Sequence, residues 1–304
     1  MNAFILEHTS SPATPAHNTT SSETGESVSP SRSRFRNSDE PSLDKPGPIQ
    51  WNRFPTALHS SLRQIDPQRI PCHVAVICDG NGRWATRRGM PRPLGHHQGY
   101  LATRRVVRAA SDMGIRVLTL YAFSTENWTR PKPEVSSLMS LFEEGAQREL
   151  NELHANGVRM RFSGRLNDLP ASLQEKLAMN EEKTRHNTGM VLNVCLNYSG
   201  RAEIIDAVKD LVEKARRHEI SEEDITPELF SRSLYTSDLP DPDLLIRTAG
   251  EMRVSNYLLW QIAYSELHVT QTLWPDFDTP DLITALLDFQ KRTRRFGGVV
   301  EEKK

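Results

Sequence analysis

The stretch HVAVICDGNGRWA, residues 73–85, decides the fold, because an apolar run rich in β-branched residues leads directly into a glycine-rich turn. An apolar run bounded by a turn signal is typical of a strand that is buried on both faces. Gly80, Gly82 and Ala85 have the G-x-G-x-x-A spacing of loops that bring backbone N–H groups close to a phosphate. The stretch therefore predicts a strand, a phosphate-binding loop and a helix in direct succession.

The same alternation of strands and helices continues along the chain. Five further strand-like runs follow the first, and they are residues 115–123, 158–164, 190–197, 243–250 and 267–270. Helical periodicity covers residues 96–113, 134–155, 170–186 and 200–216, a segment beginning at about 256, and residues 279–295. This order predicts an α/β fold, a single domain with a six-stranded, mainly parallel sheet flanked by helices.

Composition divides the chain into four parts. Residues 1–50 are rich in Ser, Thr and Pro and poor in large apolar groups, so we expect a disordered tail. Residues 51–70 predict a linker or a docking helix, residues 71–298 the folded domain, and residues 299–304 a charged C-terminal tail. The 38 basic and 39 acidic side chains leave a net charge of -1, which gives no argument for nucleic acid as a partner.

Cysteine usage and hydropathy indicate the compartment. Cys72, Cys78 and Cys195 lie in or beside strand runs, without the paired spacing of a zinc site or a redox motif. No segment approaches the roughly 20 apolar residues that span a bilayer, and the N-terminus lacks the basic start and apolar core of a secretory signal. We expect a reduced, cytoplasmic protein.

Asp79, directly before the first glycine, argues against a dinucleotide in the loop. A carboxylate at this position repels a bare pyrophosphate unless a cation lies between them. The acid that would hold a ribose, expected about 20 residues further on, is absent from QGYLATRR at residues 98–105. With Arg83 and Arg92 nearby, the pattern favours Mg²⁺ between Asp79 and a diphosphate. The alternative, that Asp79 only caps the next helix, stays open here.

Polar side chains also follow the second and fifth strand runs. They are Ser124, Thr125, Glu126, Asn127 and Arg130 after the second run, with the aromatic Trp128 among them, and Arg247, Arg253, Ser255 and, further on, Glu266 after the fifth. Glu266 would supply a further metal ligand or hold an arginine. Because ligands bind beyond the carboxyl ends of parallel strands, these residues predict a substrate site and a second phosphate site. Ordinary helix-start chemistry and a solvated Arg–Glu network are the alternatives.

Two phosphate sites without a base-reading or ribose-reading element indicate two diphosphate substrates. The helix at 134–155 carries Met139, Leu141 and Phe142, which would line an apolar cavity that runs away from the phosphates. A helix that simply faces the core gives the same periodicity, so the pattern alone does not separate the two interpretations.

Five segments, in order, resemble motifs of the cis-prenyltransferase family, in its bacterial undecaprenyl diphosphate synthase branch. They are HVAVICDGNGRWATRRGMPRPLGH (73–96), TLYAFSTENWTRP (119–131), LNVCLNYSGRAEI (192–204), DLLIRTAGEMRVSNYLLWQIAYSEL (243–267) and LWPDF (273–277), with RRFGG (294–298) closing the resemblance. The chain departs from the family pattern at Ser199 and Ala249, where glycine is frequent, and neither change removes a proposed ligand.

The resemblance implies an Mg²⁺-dependent prenyltransferase and makes residues 71–298 its catalytic domain. The implied reaction is sequential cis-condensation of isopentenyl diphosphate with an allylic diphosphate, such as farnesyl diphosphate. The implied product is a long-chain polyprenyl diphosphate, the precursor of a glycan carrier lipid of the cell wall. A homodimer, an apolar tunnel within each sheet domain and transient contact with the membrane surface for lipid release are implied as well.

The resemblance also assigns roles residue by residue. Asp79 and Asn127 are implied as catalytic, the first at the leaving diphosphate and the second at proton removal from isopentenyl diphosphate. The implied substrate-binding residues are Gly80, Asn81, Gly82, Arg83, Trp84, Arg92, His96, Ser124, Thr125, Glu126, Trp128, Arg130, Arg247, Arg253 and Ser255. Asp79 and Glu266 are the implied metal ligands, and Met190 is placed near the cavity floor.

Three other interpretations compete with this one. A non-catalytic partner subunit of the same fold would typically lack the aspartate or the phosphate arginines, and this chain has both. An oxidoreductase on a Rossmann sheet is weakened by Asp79 and by the missing ribose acid. A trans-type prenyl synthase would need paired D-D-x-x-D motifs in an all-helical chain, and neither feature is present.

Overall fold

The computed structural model describes residues 43–292 and contains the predicted six-stranded sheet. The strands are β1 His73–Ile77, β2 Val117–Tyr121, β3 Arg159–Ser163, β4 Val191–Cys195, β5 Leu244–Arg247 and β6 Glu266–Val269. Their order across the sheet is β3-β4-β2-β1-β5-β6. Every pairing is parallel, so the fold-class prediction is confirmed.

Eight α-helices connect and cover the strands in the described part of the chain. They are α1 His59–Leu62, α2 Asn81–Arg87, α3 Arg92–Asp112, α4 Lys132–Ala155, α5 Ala171–Thr184, α6 Gly200–Arg216, α7 Pro227–Arg232 and α8 Thr279–Gln290. Four of the predicted helices appear within a few residues of their predicted bounds, and α3 begins at Arg92, earlier than predicted.

The sheet separates two apolar clusters because successive side chains of a strand point to opposite faces. On one face, Val74 and Val76 of β1 belong to the large core built with α3, α4, α5 and α8. On the other face, Ala75 and Ile77 pack in a smaller cluster with Tyr257. Since β1 is buried along its whole length, its sequence is apolar from Val74 to Ile77 instead of alternating.

The strand order places a topological switch point between β1 and β5. The chain leaves β1 toward β2 on one side, whereas it leaves β5 toward β6 on the other side. The two departing connections therefore diverge and leave a crevice at the carboxyl ends of these neighbouring strands. Asp79 follows β1 and Arg247 ends β5, so both predicted phosphate sites lie at this crevice.

One predicted element is wrong. The segment from residue 256 to 264 consists of turns, although its apolar spacing resembles a helix. Ser255, Asn256 and Leu258 have positive φ angles of 47°, 60° and 44°, which a right-handed helix does not accept. The segment instead buries Tyr257 and Leu258 completely beneath the sheet.

The folded chain begins before residue 50, where the predicted tail ends. Leu43 and Ile49 are buried, and the N–H of Gly47 donates to the carbonyl of Gly114 at 2.7 Å. These few apolar side chains are enough to hold the segment against the domain. The last helix, predicted to extend to residue 295, ends at Gln290 with Lys291 as its C-cap. The remainder of the tail, the RRFGG segment and the predicted C-terminal tail lie outside the described residues.

Residues 51–70 form short helical turns, and Phe54, Leu62 and Ile65 from this segment are buried in the large core.

Within residues 43–292, the helices are too short or too polar to cross a membrane.

Candidate active site at the switch point

Asp79 is the centre of the charged site. Its Oδ2 accepts a hydrogen bond from Arg247 Nη2 at 2.9 Å, and its Oδ1 lies 3.2 Å from Arg83 Nη2. Burial opposes ionisation of this carboxyl, but the hydrogen bond from Arg247 and the charge of Arg83 outweigh burial and lower its pKa. Asp79 is therefore a carboxylate at neutral pH, with part of its surface open to solvent.

Backbone geometry fixes Asp79 at the end of β1. The Asp79 N–H donates to Thr248 Oγ1 at 2.9 Å, and the hydroxyl of Thr248 donates to the Asp79 carbonyl at 2.7 Å. Gly80 follows with φ of 107°, a conformation that L-residues with side chains rarely adopt. A Cβ at Gly80 would also lie 2.9 Å from a methyl carbon of Leu273, so only glycine fits at this turn.

Arg247 is a buried cation with several partners. Its side chain is 6% exposed, and its Nη1 donates to Ser255 Oγ at 2.7 Å and to the carbonyl of Arg253. Its Nε is buried and has no hydrogen-bond partner within residues 43–292. A buried guanidinium needs a negative partner, and Asp79 supplies that charge.

Glu134 is not among the site residues that the sequence predicts, and its carboxylate contacts the charged side chains on the other side of the cavity mouth. Its carboxylate accepts two hydrogen bonds from Arg92 at 3.0 and 3.2 Å and one from Arg130 at 3.2 Å, and His96 Nε2 lies 3.0 Å away. Burial opposes its ionisation, yet the bonds from Arg92 and His96 prevail and lower the pKa of Glu134 to about 2. Burial lowers the pKa of His96, which favours the neutral imidazole at pH 7.

The sequence indicates one of the three partners of Glu134. It follows Arg130 by four residues at the start of α4, a spacing at which an ion pair forms on a helix. The pairings with Arg92 and His96 span 42 and 38 residues of sequence, and local spacing does not reveal contacts of that length.

A cavity of about 450 Å³ opens at this charged site and continues between α4, α5 and the sheet. Its outer end has the charged residues described above. Its inner wall is mostly apolar and includes Leu120, Leu138, Leu141, Phe142, Ala146, Leu153, Met160, Phe162, Leu177, Leu192, Val194 and Leu196. Tyr100 and Glu149, hydrogen-bonded to each other, form a polar patch on the wall between α3 and α4.

The lining of the cavity shows which apolar residues of α4 face the cavity and which face the core. Leu141 and Phe142 line the cavity as predicted, whereas Met139 is buried in the core and does not line the cavity. Met190, expected near the cavity floor, is buried immediately before β4 and does not line the cavity either. Leu192, two residues further on, lines the cavity instead.

Most predicted site residues meet at the cavity. Those that line it are Asp79, Gly80, Asn81, Gly82, Arg83, Arg92, His96, Ser124, Asn127, Arg130, Arg247 and Ser255. Asn127 is held in place because its Oδ1 accepts the N–H of Ser124 at 3.2 Å. The loops after β1, β2 and β5 therefore converge as the parallel sheet requires.

Five predicted substrate-binding residues do not line the cavity. Trp84 donates to Asp276 Oδ1 at 2.6 Å, and Trp128 donates to Asn197 Oδ1 at 2.7 Å. Arg253 pairs with Glu251. Glu126 accepts a hydrogen bond from Asn256 at 2.8 Å, and Thr125 donates to Glu126 at 3.3 Å. These residues border the site, and their contacts in this structure are with protein groups.

The structure does not bring Glu266 to Asp79, which corrects the expected pair of metal ligands. Glu266 begins β6 and lies in register with Leu244 at the start of β5, whereas Asp79 follows the end of β1. Its Oε2 accepts a hydrogen bond from Arg292 at 3.0 Å. No cluster of three or more His, Cys, Asp or Glu residues suited to a metal occurs in the part of the chain from 43 to 292.

Comparison with known sequences identifies relatives over most of the chain. The family model described as undecaprenyl diphosphate synthase matches residues 77–297. The isoprenyl transferase of Heliobacterium mobile is 53% identical over 236 residues, which are 78% of this chain and 91% of that protein. The isoprenyl transferase of Clostridium perfringens is 48% identical over 231 residues, 76% of this chain and 91% of that protein.

Solved structures show the same fold. Lavandulyl diphosphate synthase from Lavandula x intermedia, in complex with dimethylallyl diphosphate, superposes with a TM-score of 0.74 at 35% identity. A probable undecaprenyl diphosphate synthase from Campylobacter jejuni superposes with a TM-score of 0.63 at 31% identity. Each alignment covers 75% of this chain and 98% of the other.

Proposed function

This chain belongs to the undecaprenyl diphosphate synthase family of isoprenyl transferases. We propose that it catalyses cis-prenyl chain elongation and assign residues to each step of that reaction. The reaction adds isopentenyl diphosphate to an allylic diphosphate, and the lengthened product is a polyprenyl diphosphate. The observation that carries the proposal is the position of Asp79, held between Arg83 and Arg247 at the mouth of an apolar cavity. A charged mouth and an apolar interior match the two halves of a prenyl diphosphate.

The first chemical step is loss of the diphosphate from the allylic substrate. The C–O bond breaks, and negative charge accumulates on the departing oxygens while the allylic carbon becomes electrophilic. Arg83 and Arg92, with the glycine loop at 80–82, would stabilise that charge in a partly buried site where cations act more strongly than in water. Stabilising the leaving group in this way lowers the barrier to ionisation.

The second step joins the two substrates. Arg247, with Ser255 beside it, would hold isopentenyl diphosphate so that its double bond faces the allylic carbon. A new C–C bond forms, and a proton is lost from the adjacent carbon to a diphosphate oxygen or to water. Asn127 would orient that transfer, since its amide is fixed by the capping bond to Ser124. The product then serves as the allylic substrate of the next cycle, with its tail in the cavity.

The magnesium ion typical of the family fits the residues at the mouth. Mg²⁺ takes oxygen ligands and is commonly held by one or two carboxylates together with substrate phosphates. Asp79 is a carboxylate in this position, and Asn81 Oδ1 is a buried acceptor without a partner in the described part of the chain. Asp79 would hold the ion, which when bound supplies positive charge to the diphosphate oxygens.

A homodimer is the assembly we propose. Ile205, Val208 and Val212 of α6 are 51%, 42% and 48% exposed and are spaced along one side of the helix. A stripe of exposed apolar residues on an otherwise amphipathic helix is typical of an interface. Val208→Glu should convert a dimer to a monomer in light-scattering chromatography. A wild-type protein that runs as a monomer at micromolar concentration would remove the proposal.

We place the enzyme in the cytoplasm, with peripheral contact at a membrane, because a long polyprenyl product is insoluble in water. Its use as the precursor of a cell-wall carrier lipid follows from the same family membership.

The decisive experiment incubates the purified protein with labelled isopentenyl diphosphate, farnesyl diphosphate and Mg²⁺, followed by chromatography of the lipid products. We expect a ladder of prenyl diphosphates that ends in a long chain, and its loss when a chelator removes the ion. Absence of any product longer than farnesyl diphosphate would contradict elongation. Tryptophan fluorescence titrations with farnesyl diphosphate, with and without Mg²⁺, would report binding separately from turnover.

A further inference from the structure

Two exposed segments form a rim at the cavity mouth, and we name residues 86–94 and 128–133 together the mouth rim. Every residue from Thr86 to Leu94 is exposed. Within the rim, Met90 is 42%, Leu94 49% and Trp128 40% exposed. Large apolar side chains seldom occur together on a free surface without a partner.

The rim lies directly at the site. Arg92 from the first segment and Arg130 from the second both donate to Glu134, and both arginines line the cavity. Glu134 thus ties the two segments together across the opening. A surface that contacts the rim would face the cavity mouth.

The rim is also basic. Its two segments contain Arg87, Arg88, Arg92, Arg130 and Lys132 and no acidic residue. The side chains of Arg87 and Lys132 are exposed, and neither forms a hydrogen bond or ion pair with any residue from 43 to 292. The acids that face this edge are already engaged, since Asp276 pairs with Arg88 and Glu134 pairs with Arg92.

We propose that the mouth rim docks on an anionic lipid bilayer. This proposal rests on the proposed function and names the surface of the enzyme that contacts the membrane. Apolar and aromatic side chains flanked by Lys and Arg are the composition of segments that lie in a membrane interface. Basic residues beside them favour anionic headgroups. Each apolar carbon of a prenyl chain adds to the cost of exposing the chain to water, so release into water is prohibitive for a long product. Docking at the mouth gives that chain a direct route into lipid.

The test is flotation of the full-length protein with vesicles of phosphatidylcholine, alone or mixed with phosphatidylglycerol. Wild type should float with the mixed vesicles and much less with phosphatidylcholine alone, and added salt should weaken the binding. The double variants Met90→Ser/Leu94→Ser and Arg87→Gln/Lys132→Gln should each lower the partition coefficient roughly tenfold or more. The matched control is Met179→Ser/Ile225→Ser, which removes similarly exposed apolar groups elsewhere and should bind as wild type does.

The outcomes separate this proposal from the proposed function. Both rim variants should retain condensation of farnesyl diphosphate in detergent solution, because neither changes a residue placed in the reaction. Rim variants that float like wild type, or equal binding to both vesicle types, would overturn the docking surface and leave the enzyme assignment intact. Wild type that floats but makes no prenyl product would instead contradict the enzyme assignment. Thermal unfolding of each variant excludes misfolding as the cause.

Discussion

The mouth and the interior of the cavity are built by different forces. At the mouth, Asp79 and Glu134 hold four arginines through directional hydrogen bonds of 2.9 to 3.2 Å. In the interior, most of the wall consists of aliphatic and aromatic side chains, which pack by shape and volume. Directional bonds lose their strength with small displacements, whereas apolar packing tolerates changes that conserve volume. Substitutions at the mouth should therefore alter rate and affinity, and substitutions inside should alter stability and product length.

The largest effect is expected from Asp79→Asn, which keeps the shape of the side chain and removes its charge. Turnover should fall about 10³-fold, because the variant lacks the carboxylate that would hold Mg²⁺ against the leaving diphosphate. Incorporation of labelled isopentenyl diphosphate measures the loss, and an unchanged melting temperature shows that the fold persists. Asp112→Asn, which breaks an ion pair with Arg53 away from the site, is the matched control. Asp79→Asn activity within tenfold of wild type would refute the role of this carboxylate.

The next effect concerns two neighbouring side chains of the interior, Met190 and Leu192, which are 3% and 4% exposed. Truncation of either to Ala should cost about 2–5 kcal/mol in the free energy of unfolding, measured by urea denaturation. Only Leu192 lines the cavity, so only Leu192→Ala should lengthen the product on chromatography. A longer product from Met190→Ala but not from Leu192→Ala would show that the cavity extends to Met190 and that Leu192 does not limit the chain.

A smaller effect is expected from Glu134→Gln. Arg92, Arg130 and His96 lose their shared anchor, so the KM for the allylic diphosphate should rise roughly tenfold while kcat changes less. Steady-state kinetics with farnesyl diphosphate as the varied substrate separates the two constants. A lower KM would mean that Glu134 competes with the substrate for the arginines, which reverses the proposed role. Glu144→Gln, whose partner is Arg148 on the outer surface of α4, is the control.

The difference between mouth and interior also explains what sequence alone could predict. Strand positions are predictable because burial on both faces demands predominantly apolar runs, as in residues 74–77 of β1. The convergence of Asp79 and Arg247 followed from the rule that loops meet at the carboxyl ends of parallel strands. The strand order, which brings β1 and β5 together as neighbours, has no local signal in the chain.

Errors arose where tertiary contacts override local pattern. The apolar residues after Ser255 have helical spacing, but burial of Tyr257 against the sheet and positive φ angles produce turns. The resemblance implies Glu266 as a metal ligand, whereas its register puts it at the start of β6, where it holds Arg292, the other role that the residue type allows. Local spacing does not indicate Glu134 as a site residue, because its partners Arg92 and His96 are 42 and 38 residues away in sequence.

The smallest expected effect is a pH dependence of stability from Glu134. Its pKa is about 2 in the folded protein and 4.5 as the ordinary value, so the folded state favours the carboxylate. The stabilisation is complete above the unfolded value, decreases as the pH falls below it, and is lost near pH 2. Between pH 7 and about 3.5 the loss should be roughly 1 kcal/mol. Urea denaturation at both pH values should show a smaller decline for Glu134→Gln than for wild type, because the variant has no carboxylate to protonate. Equal declines in the two proteins would mean that the arginines of the mouth do not hold Glu134 ionised, and that this side of the site is organised by something other than charge.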